Sequence, residues 1–382
     1  MKNFFSVLPF LIGLIVAVLL MNQWMHNWNN QGNQAQDFAL GLQNTAYFAQ
    51  DGDYNFHCSD FIERPLDNCF QDYLSFSYPD PLILYLGNSQ LHGINQPELG
   101  LNSSSNILYE HLKTIKDIQL LTLSMPNMSL QEQYATYEYS STKLPIKTLI
   151  LSISFDNTRE SGIRDGLIDL FSDAKTSSRL KNSETGLRLI ANHGDKDGAG
   201  NDLAALKETQ QEQAEKFLNA SLGKLWESWD KRGGLRSYLI INLYQFRNYV
   251  FGINSSSTRK KIPARYDENL NALFDILQST KDRGIKTLVY SVPLRKDVKI
   301  PYEPQEYIDF LEDIKKITLD NGGLYYNLED LVPSRFWGTV DGINATGGKE
   351  EIDFMHFQGG GHELLGAELI KIITEEELHY QK

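Results

Sequence analysis

The sequence predicts an α/β protein: a three-layer α/β/α domain around a mostly parallel five-stranded sheet, with a helical insertion and one N-terminal transmembrane helix. Three observations predict it. Short apolar runs alternate with stretches of helical period from Pro81 onward. A long helix-rich stretch interrupts that alternation between the third and fourth runs. An uncharged apolar segment near the N-terminus is long enough to cross a bilayer. The 382 residues are 41% hydrophobic and 22% charged, so the chain can bury a sizeable core. The net charge of −13 excludes the basic footprint that nucleic acid or a broad anionic membrane surface requires.

Phe4 to Met21 (FFSVLPFLIGLIVAVLLM) carries no charge, and no Asp, Glu, Lys or Arg occurs from Asn3 to Gln36. About 20 apolar residues span a bilayer core. Trp24 and Trp28 follow at interface depth, and Lys2 is the nearby cation on the N-terminal side. By the positive-inside rule the tip is cytoplasmic and the main domain is periplasmic or extracellular. A cleaved signal peptide would have a shorter apolar run and small residues at its end, whereas Leu20-Met21-Asn22-Gln23 follows here. Residues 1–29 therefore read as tip and anchor, 30–79 as an exported stalk or cover segment, and 80–382 as the main domain. The two cysteines, Cys58 and Cys69, fall in the stalk. In an exported chain such a pair reads as a disulfide, worth about 3 kcal/mol on the chain-entropy model. Two unpaired buried thiols are the alternative. His57 adjoins Cys58, but no fourth metal ligand lies nearby, and neither a metal nor a cofactor is expected.

The strands are read at Pro81–Leu86, Gln119–Leu123, Lys147–Ser154, Ile285–Val292 and, more weakly, Leu324–Leu328. Helical period covers Ile107–Lys116, Leu130–Ser140, Leu270–Arg283, Pro304–Asp320 and Glu363–Thr374. About 165–265 reads as the insertion, with helical stretches at Leu203–Trp229 and Leu235–Phe251. Its aromatics Trp226, Trp229, Tyr238, Tyr244, Phe246, Tyr249 and Phe251 suit either a packed core or a surface for glycan or a membrane partner. The loop from Asp195 to Asp202 spaces its carboxylates like a calcium loop, but Ala199 stands where an oxygen ligand is needed.

Two segments carry chemistry. Gly87-Asn88-Ser89 follows the first strand at its carboxyl end, where ligand sites of open α/β sheets lie. Ser89 can present its hydroxyl and backbone N–H there; a helix N-cap is the alternative use of such residues. The second is Asp353-Phe354-Met355-His356, before the last helix. An Asp three residues before a His can accept from one ring nitrogen and leave the other free as a general base. A serine hydroxyl needs such a base within hydrogen-bond reach. His92 and His362 read as packed or capping residues, with substrate contact open for His92.

These segments resemble the SGNH (GDSL-type) hydrolase superfamily, which has Gly-Asp-Ser after its first strand and Asp-x-x-His near its end. The resemblance covers about 80–160 and 284–375. It implies Ser89 as nucleophile, His356 as base and Asp353 as its orienter. The superfamily's second block has a Gly whose N–H binds the oxyanion, and Asn127 stands for it. The third block, Gly-x-Asn-Asp, has an Asn donor, for which Asn157 is the candidate although displaced by one position. Within the superfamily the layout is most similar to membrane-anchored envelope acylation proteins, such as the teichoic acid D-alanylation protein DltD and the alginate acetylation proteins. That likeness implies an exported serine acyltransferase or esterase, acting through an acyl-serine on a cell-envelope polysaccharide or lipid-linked polymer beside a polytopic membrane-bound O-acyltransferase. A simple SGNH esterase or deacetylase, or a non-catalytic subunit of an acylation complex, is the alternative.

Overall fold

The apolar runs become the strands of one sheet because only both-sided burial suits such sequences. In β3 (Leu82–Gly87) all six residues are buried, and β4 (Gln119–Ser124) and β5 (Ile146–Ile153) are buried over most of their length. The computed structural model describes residues 20, 49–51, 54–59, 66–75, 82–94, 96, 102–115, 118–193, 243, 247, 249–252, 257–340 and 351–380. Among them, no helix is long and apolar enough to cross a membrane. The segment read as the anchor lies outside the described residues apart from Leu20, as do the loop 195–202 and the stretch 203–229.

Among the described residues the sheet has seven strands where the sequence predicts five. The two additions are β1 (Ala49–Asp51) and β2 (Tyr54–Ser59), from the segment read as a stalk. Their polar residues Asn55, His57 and Ser59 break the apolar run that marks the other strands. Pairing creates them instead: His57, Cys58 and Ser59 align with Thr122, Leu123 and Ser124 of β4. Cys58 and Cys69 form a disulfide that ties β2 to α1 (Leu66–Ser75). The domain boundary expected at residue 80 therefore lies within the sheet's own unit.

The remaining described elements are α2 (Ser104–Thr114), α3 (Leu130–Lys143), α4 (Ala174–Leu180), α5 (Glu184–His193), α6 (Pro263–Asp282), β6 (Lys286–Ser291), α7 (Pro304–Asp320), β7 (Leu324–Asn327), β8 (Trp337–Val340), β9 (Glu351–Phe357) and α8 (Gly359–Tyr380). Sheet order is β1-β2-β4-β3-β5-β6-β7. β2 through β7 run parallel and β1 is antiparallel to β2. From β3 the chain crosses to β4, then returns past β3 to β5, so the order reverses at β3. Right-handed crossovers then place α2 and α3 on opposite faces. α2 packs with α8, and α3 packs with α6, which adjoins α7. The reversal opens a crevice at the carboxyl end of β3, and that is where Ser89 stands.

The chain divides into two compact units. The unit just described spans Leu40–Asn201, Asn254–Gly342 and Gly348–Lys382; the other spans Met1–Ala39, Asp202–Ile253 and Ile343–Gly347. The insertion expected over 165–265 is thus narrower. Residues 165–193 form a 3-10 turn, α4 and α5 within the sheet's unit, because Leu167, Leu180 and Leu189 are buried there. In the second unit the described residues Leu243, Tyr249, Val250 and Phe251 are helical and exposed.

Candidate active site

β3 ends at Gly87, and nothing larger fits there. A Cβ on Gly87 would meet Ser152 Oγ at 2.2 Å and Leu91 Cδ1 at 2.6 Å. Asn88 then caps a 3-10 turn over Ser89–Leu91: its Oδ1 accepts from Gln90 N at 3.0 Å. The amide of Asn88 faces the other way and donates to Ser154 Oγ and Asn157 Oδ1 at 3.0 and 3.1 Å. The turn so fixed sets Ser89 at the crevice, buried to 4% exposure.

The partners of Ser89 come from far along the chain. β9 pairs antiparallel with β8, so the Asp-x-x-His segment is a strand. Ser89 Oγ lies 3.0 Å from His356 Nε2, and His356 Nδ1 lies 3.0 Å from Asp353 Oδ2. Asp353 Oδ1 accepts from the backbone N–H groups of Met355 and His356 at 3.0 and 2.9 Å. The three residues chosen from sequence therefore meet in one hydrogen-bonded row. Burial pushes the Asp353 carboxyl up, but the His356 charge and the hydrogen bonds from His356 and Met355 outweigh it and hold it below its ordinary value. An ionised Asp353 fixes the tautomer in which Nδ1 carries the proton and Nε2 can accept from Ser89.

The two candidate oxyanion residues part ways. Asn127, itself exposed, has φ of 51°, a left-handed conformation that Asn tolerates, in the turn after β4. That loop starts beside the nucleophile turn, where Met125 N donates to Gly87 O at 3.3 Å. Its far side is braced by Glu132, which caps Ser129 and pairs with Arg164 at 2.8 Å, while Arg164 Nη2 donates to Pro126 O at 2.7 Å. Asn157 is a correction. It is fully buried; its Oδ1 accepts from Ser154 N, Ser154 Oγ and Asn88, and its Nδ2 donates to Met128 O. Its amide ties the turns at Asn88, Met128 and Ser154 together. The preceding position, where the resemblance would put the donor, is Asp156, whose carboxylate accepts from Tyr302 Oη at 3.0 Å.

His92 is a packing residue, 1% exposed, with Nε2 2.8 Å from Ser124 Oγ. His57 meets the same hydroxyl at 2.7 Å. His362 lies inside α8, where its Nδ1 accepts from Ser104 N at 3.2 Å. Burial lowers His57 and His362 to about 3, and it also holds His92 well below its ordinary value. All three are neutral at working pH. Among the described residues, no group of three or more His, Cys, Asp or Glu side chains is placed to hold a metal ion.

Two positioning residues escaped the sequence reading. Gln90, 1% exposed, donates from Nε2 to Pro293 O at 2.9 Å and Met355 O at 2.8 Å. It locks the nucleophile turn to the strand of His356. Arg295 donates from Nη1 to Gly338 O at 2.8 Å and Asp353 O at 3.4 Å, holding β8 and β9 together. Neither has a sequence signal, because both act on backbone carbonyls. Gln90→Met fills similar volume but leaves two carbonyls without this donor, each worth about 1–3 kcal/mol when buried. We expect a kcat about tenfold or more below wild type with the melting temperature lowered; an unchanged kcat in the folded variant would remove Gln90 from the positioning of the site.

No protein-family profile matches the sequence. No curated protein matches it either. Solved structures that are similar include a catalytic mutant of Axe2, an acetylxylan esterase from Geobacillus stearothermophilus, at 10% identity and a TM-score of 0.37, covering 77% of this chain and 94% of that one. A Corynascus thermopiles (Myceliophthora fergusii) carbohydrate esterase family 2 enzyme with its carbohydrate-binding domain is similar at 9% identity and a TM-score of 0.37, covering 78% of this chain and 67% of that one. The chemistry of the site rests on its own geometry.

Proposed function

We propose that this chain is a membrane-anchored, exported serine enzyme that moves acyl groups of a cell-envelope polysaccharide or lipid-linked polymer through an acyl-Ser89 intermediate. The observation that carries the reading is the unbroken row Ser89–His356–Asp353, with both links at 3.0 Å. His356 Nε2 takes the Ser89 proton as Oγ attacks the acyl carbonyl, then returns a proton to the leaving alcohol. Asp353 holds the ring and stabilises the imidazolium. The Ser89 N–H, with the backbone N–H at Asn127, receives the oxyanion; each such donor is worth about 2.7–4 kcal/mol of barrier. In the second half, water or an acceptor hydroxyl attacks the acyl-serine, giving hydrolysis or transfer.

Export and anchoring are supported by the apolar run Phe4–Met21 and by the Cys58–Cys69 disulfide, a bond that persists in oxidising compartments. A polytopic membrane-bound O-acyltransferase would be the acyl donor's source. The test is a fluorophosphonate probe on the full chain in detergent. We expect Ser89 to be labelled and Ser89→Ala to abolish labelling; a folded wild type that stays unlabelled would overturn the serine-enzyme reading and leave a non-catalytic envelope subunit. Turnover of a small acetyl ester then separates the two enzymatic outcomes. Slow turnover that rises on adding a glycan acceptor supports transfer, and fast turnover in water alone supports an esterase.

A further inference from the structure

Asp156 has no partner role in the triad, yet it sits between the two halves of the site. It adjoins Asn157, whose Oδ1 receives the Asn88 amide, so it is linked to the nucleophile turn. Its Oδ2 accepts from Tyr302 Oη and from Arg259 Nη1, and its Oδ1 lies 3.5 Å from Arg159 Nη1. The Arg259 guanidinium lies over the ring of Phe354, 4.9 Å from its centroid. Phe354 is 7% exposed and directly follows Asp353 on β9. Tyr302 closes the group, with its ring edge-on to Phe354 at 6.0 Å and 90°.

Arg259 is itself held by its backbone. Its N–H donates to Pro301 O at 2.8 Å and its carbonyl accepts from Glu303 N at 3.1 Å. A planar guanidinium can pair with a carboxylate at its edge and cover a ring with its face at once, which an ammonium cannot do. Arg259 therefore touches both the Asp156 side, tied to Asn88, and the Phe354 side, continuous with Asp353 and His356.

We propose that Arg259 is a positioning residue that couples the nucleophile turn to the Asp353–His356 strand, through Asp156 on one side and Phe354 on the other. The proposal rests on the acyl-serine reading above. It also assigns Asp156 a use: it seats a cation beside the triad. Burial pushes the Arg259 guanidinium down, but Asp156, Tyr302 and Asp353 outweigh it and keep it charged. The groups facing it are Asp156 and Arg159 from the turn after β5, Tyr302 from the loop before α7, and Asp353 from β9. A cation here favours ionised Asp353.

The experiment uses the full chain in detergent and reads fluorophosphonate labelling and ester turnover for wild type, Arg259→Met, Arg259→Lys, Phe354→Leu and the Arg259→Met/Phe354→Leu double variant. For Arg259→Met we expect kcat to fall roughly tenfold to a hundredfold, with KM for a small ester within about twofold, as for a misplaced catalytic group. Arg259→Lys keeps the charge but loses the fork, so its kcat should stay low. Phe354→Leu should resemble Arg259→Met in kcat, and the double variant should fall no further than the worse single one. Two results would overturn the proposal: an unchanged kcat in Arg259→Met, or losses that multiply in the double variant. If Arg259→Met does not fold, Arg259→Lys and Phe354→Leu decide it by the same kcat criterion. A labelled wild type with indifferent variants leaves the serine-enzyme reading standing, whereas an unlabelled wild type overturns both.

Discussion

Asp353→Asn is expected to lower kcat on the order of 10⁴-fold while leaving the protein folded. The carboxylate makes two kinds of bond here. Oδ1 accepts from the backbone of Met355 and His356, which an Asn carbonyl oxygen can also do. Oδ2 faces His356 Nδ1 at 3.0 Å, and there the variant would place an amide that donates. The imidazole must answer with its lone pair on Nδ1 and its proton on Nε2. Nε2 then cannot take the proton of Ser89, 3.0 Å away. The variant also loses the negative charge that stabilises imidazolium. Ester turnover and the rate of fluorophosphonate labelling both check this, with near-ultraviolet circular dichroism to show intact packing. A loss smaller than about tenfold would take Asp353 out of the role of orienter.

Acid should destabilise the fold steeply at a pH where carboxylates are still ionised. His57, His92 and His362 are each 2% exposed or less, and all three are held below the ordinary histidine value. The folded state keeps them neutral while the unfolded chain protonates them below about 6.5. A depressed folded value means the unfolded state binds more protons, so stability is full above about 6.5 and falls as pH drops toward about 3. For three such protons the loss is about 4 kcal/mol between pH 7.5 and 5.5, a large share of a typical 5–15 kcal/mol. Urea unfolding at pH 7.5, 6.5 and 5.5 measures it. His57→Gln should remove about a third of the pH dependence; equal stability at pH 7.5 and 5.5 would show that these histidines protonate in the folded state.

The legible parts of this molecule were those whose chemistry is local. β3, β4, β5 and β6 were readable because strands buried on both faces need unbroken apolar runs, and Leu82–Leu86 and Leu149–Ile153 are such runs. Ser89 was readable from its place after a strand, and Asp353 with His356 from a spacing that lets one side chain reach the other. β1 and β2 were not legible, since Asn55 and His57 carry no strand signal until Thr122 and Asp72 supply their neighbours. The place of Asn157 was not legible for a related reason: an asparagine beside the site can serve the substrate or the scaffold, and only its bonds to Asn88, Ser154 and Met128 decide which.

By itself the sequence determined the α/β layering, the apolar segment Phe4–Met21, the closely spaced cysteines and the choice of Ser89, Asp353 and His356 as candidates. These follow from hydrophobic pattern and from functional groups that few other residues can replace. Only the tertiary structure decided that 267 positions of separation close to a 3.0 Å contact between Ser89 and His356. It alone recruited the stalk into the sheet, turned Asn157 inward and set Arg259 between Asp156 and Phe354. Those outcomes depend on backbone carbonyls and packed faces that any residue type presents, so no residue name announces them before the chain folds.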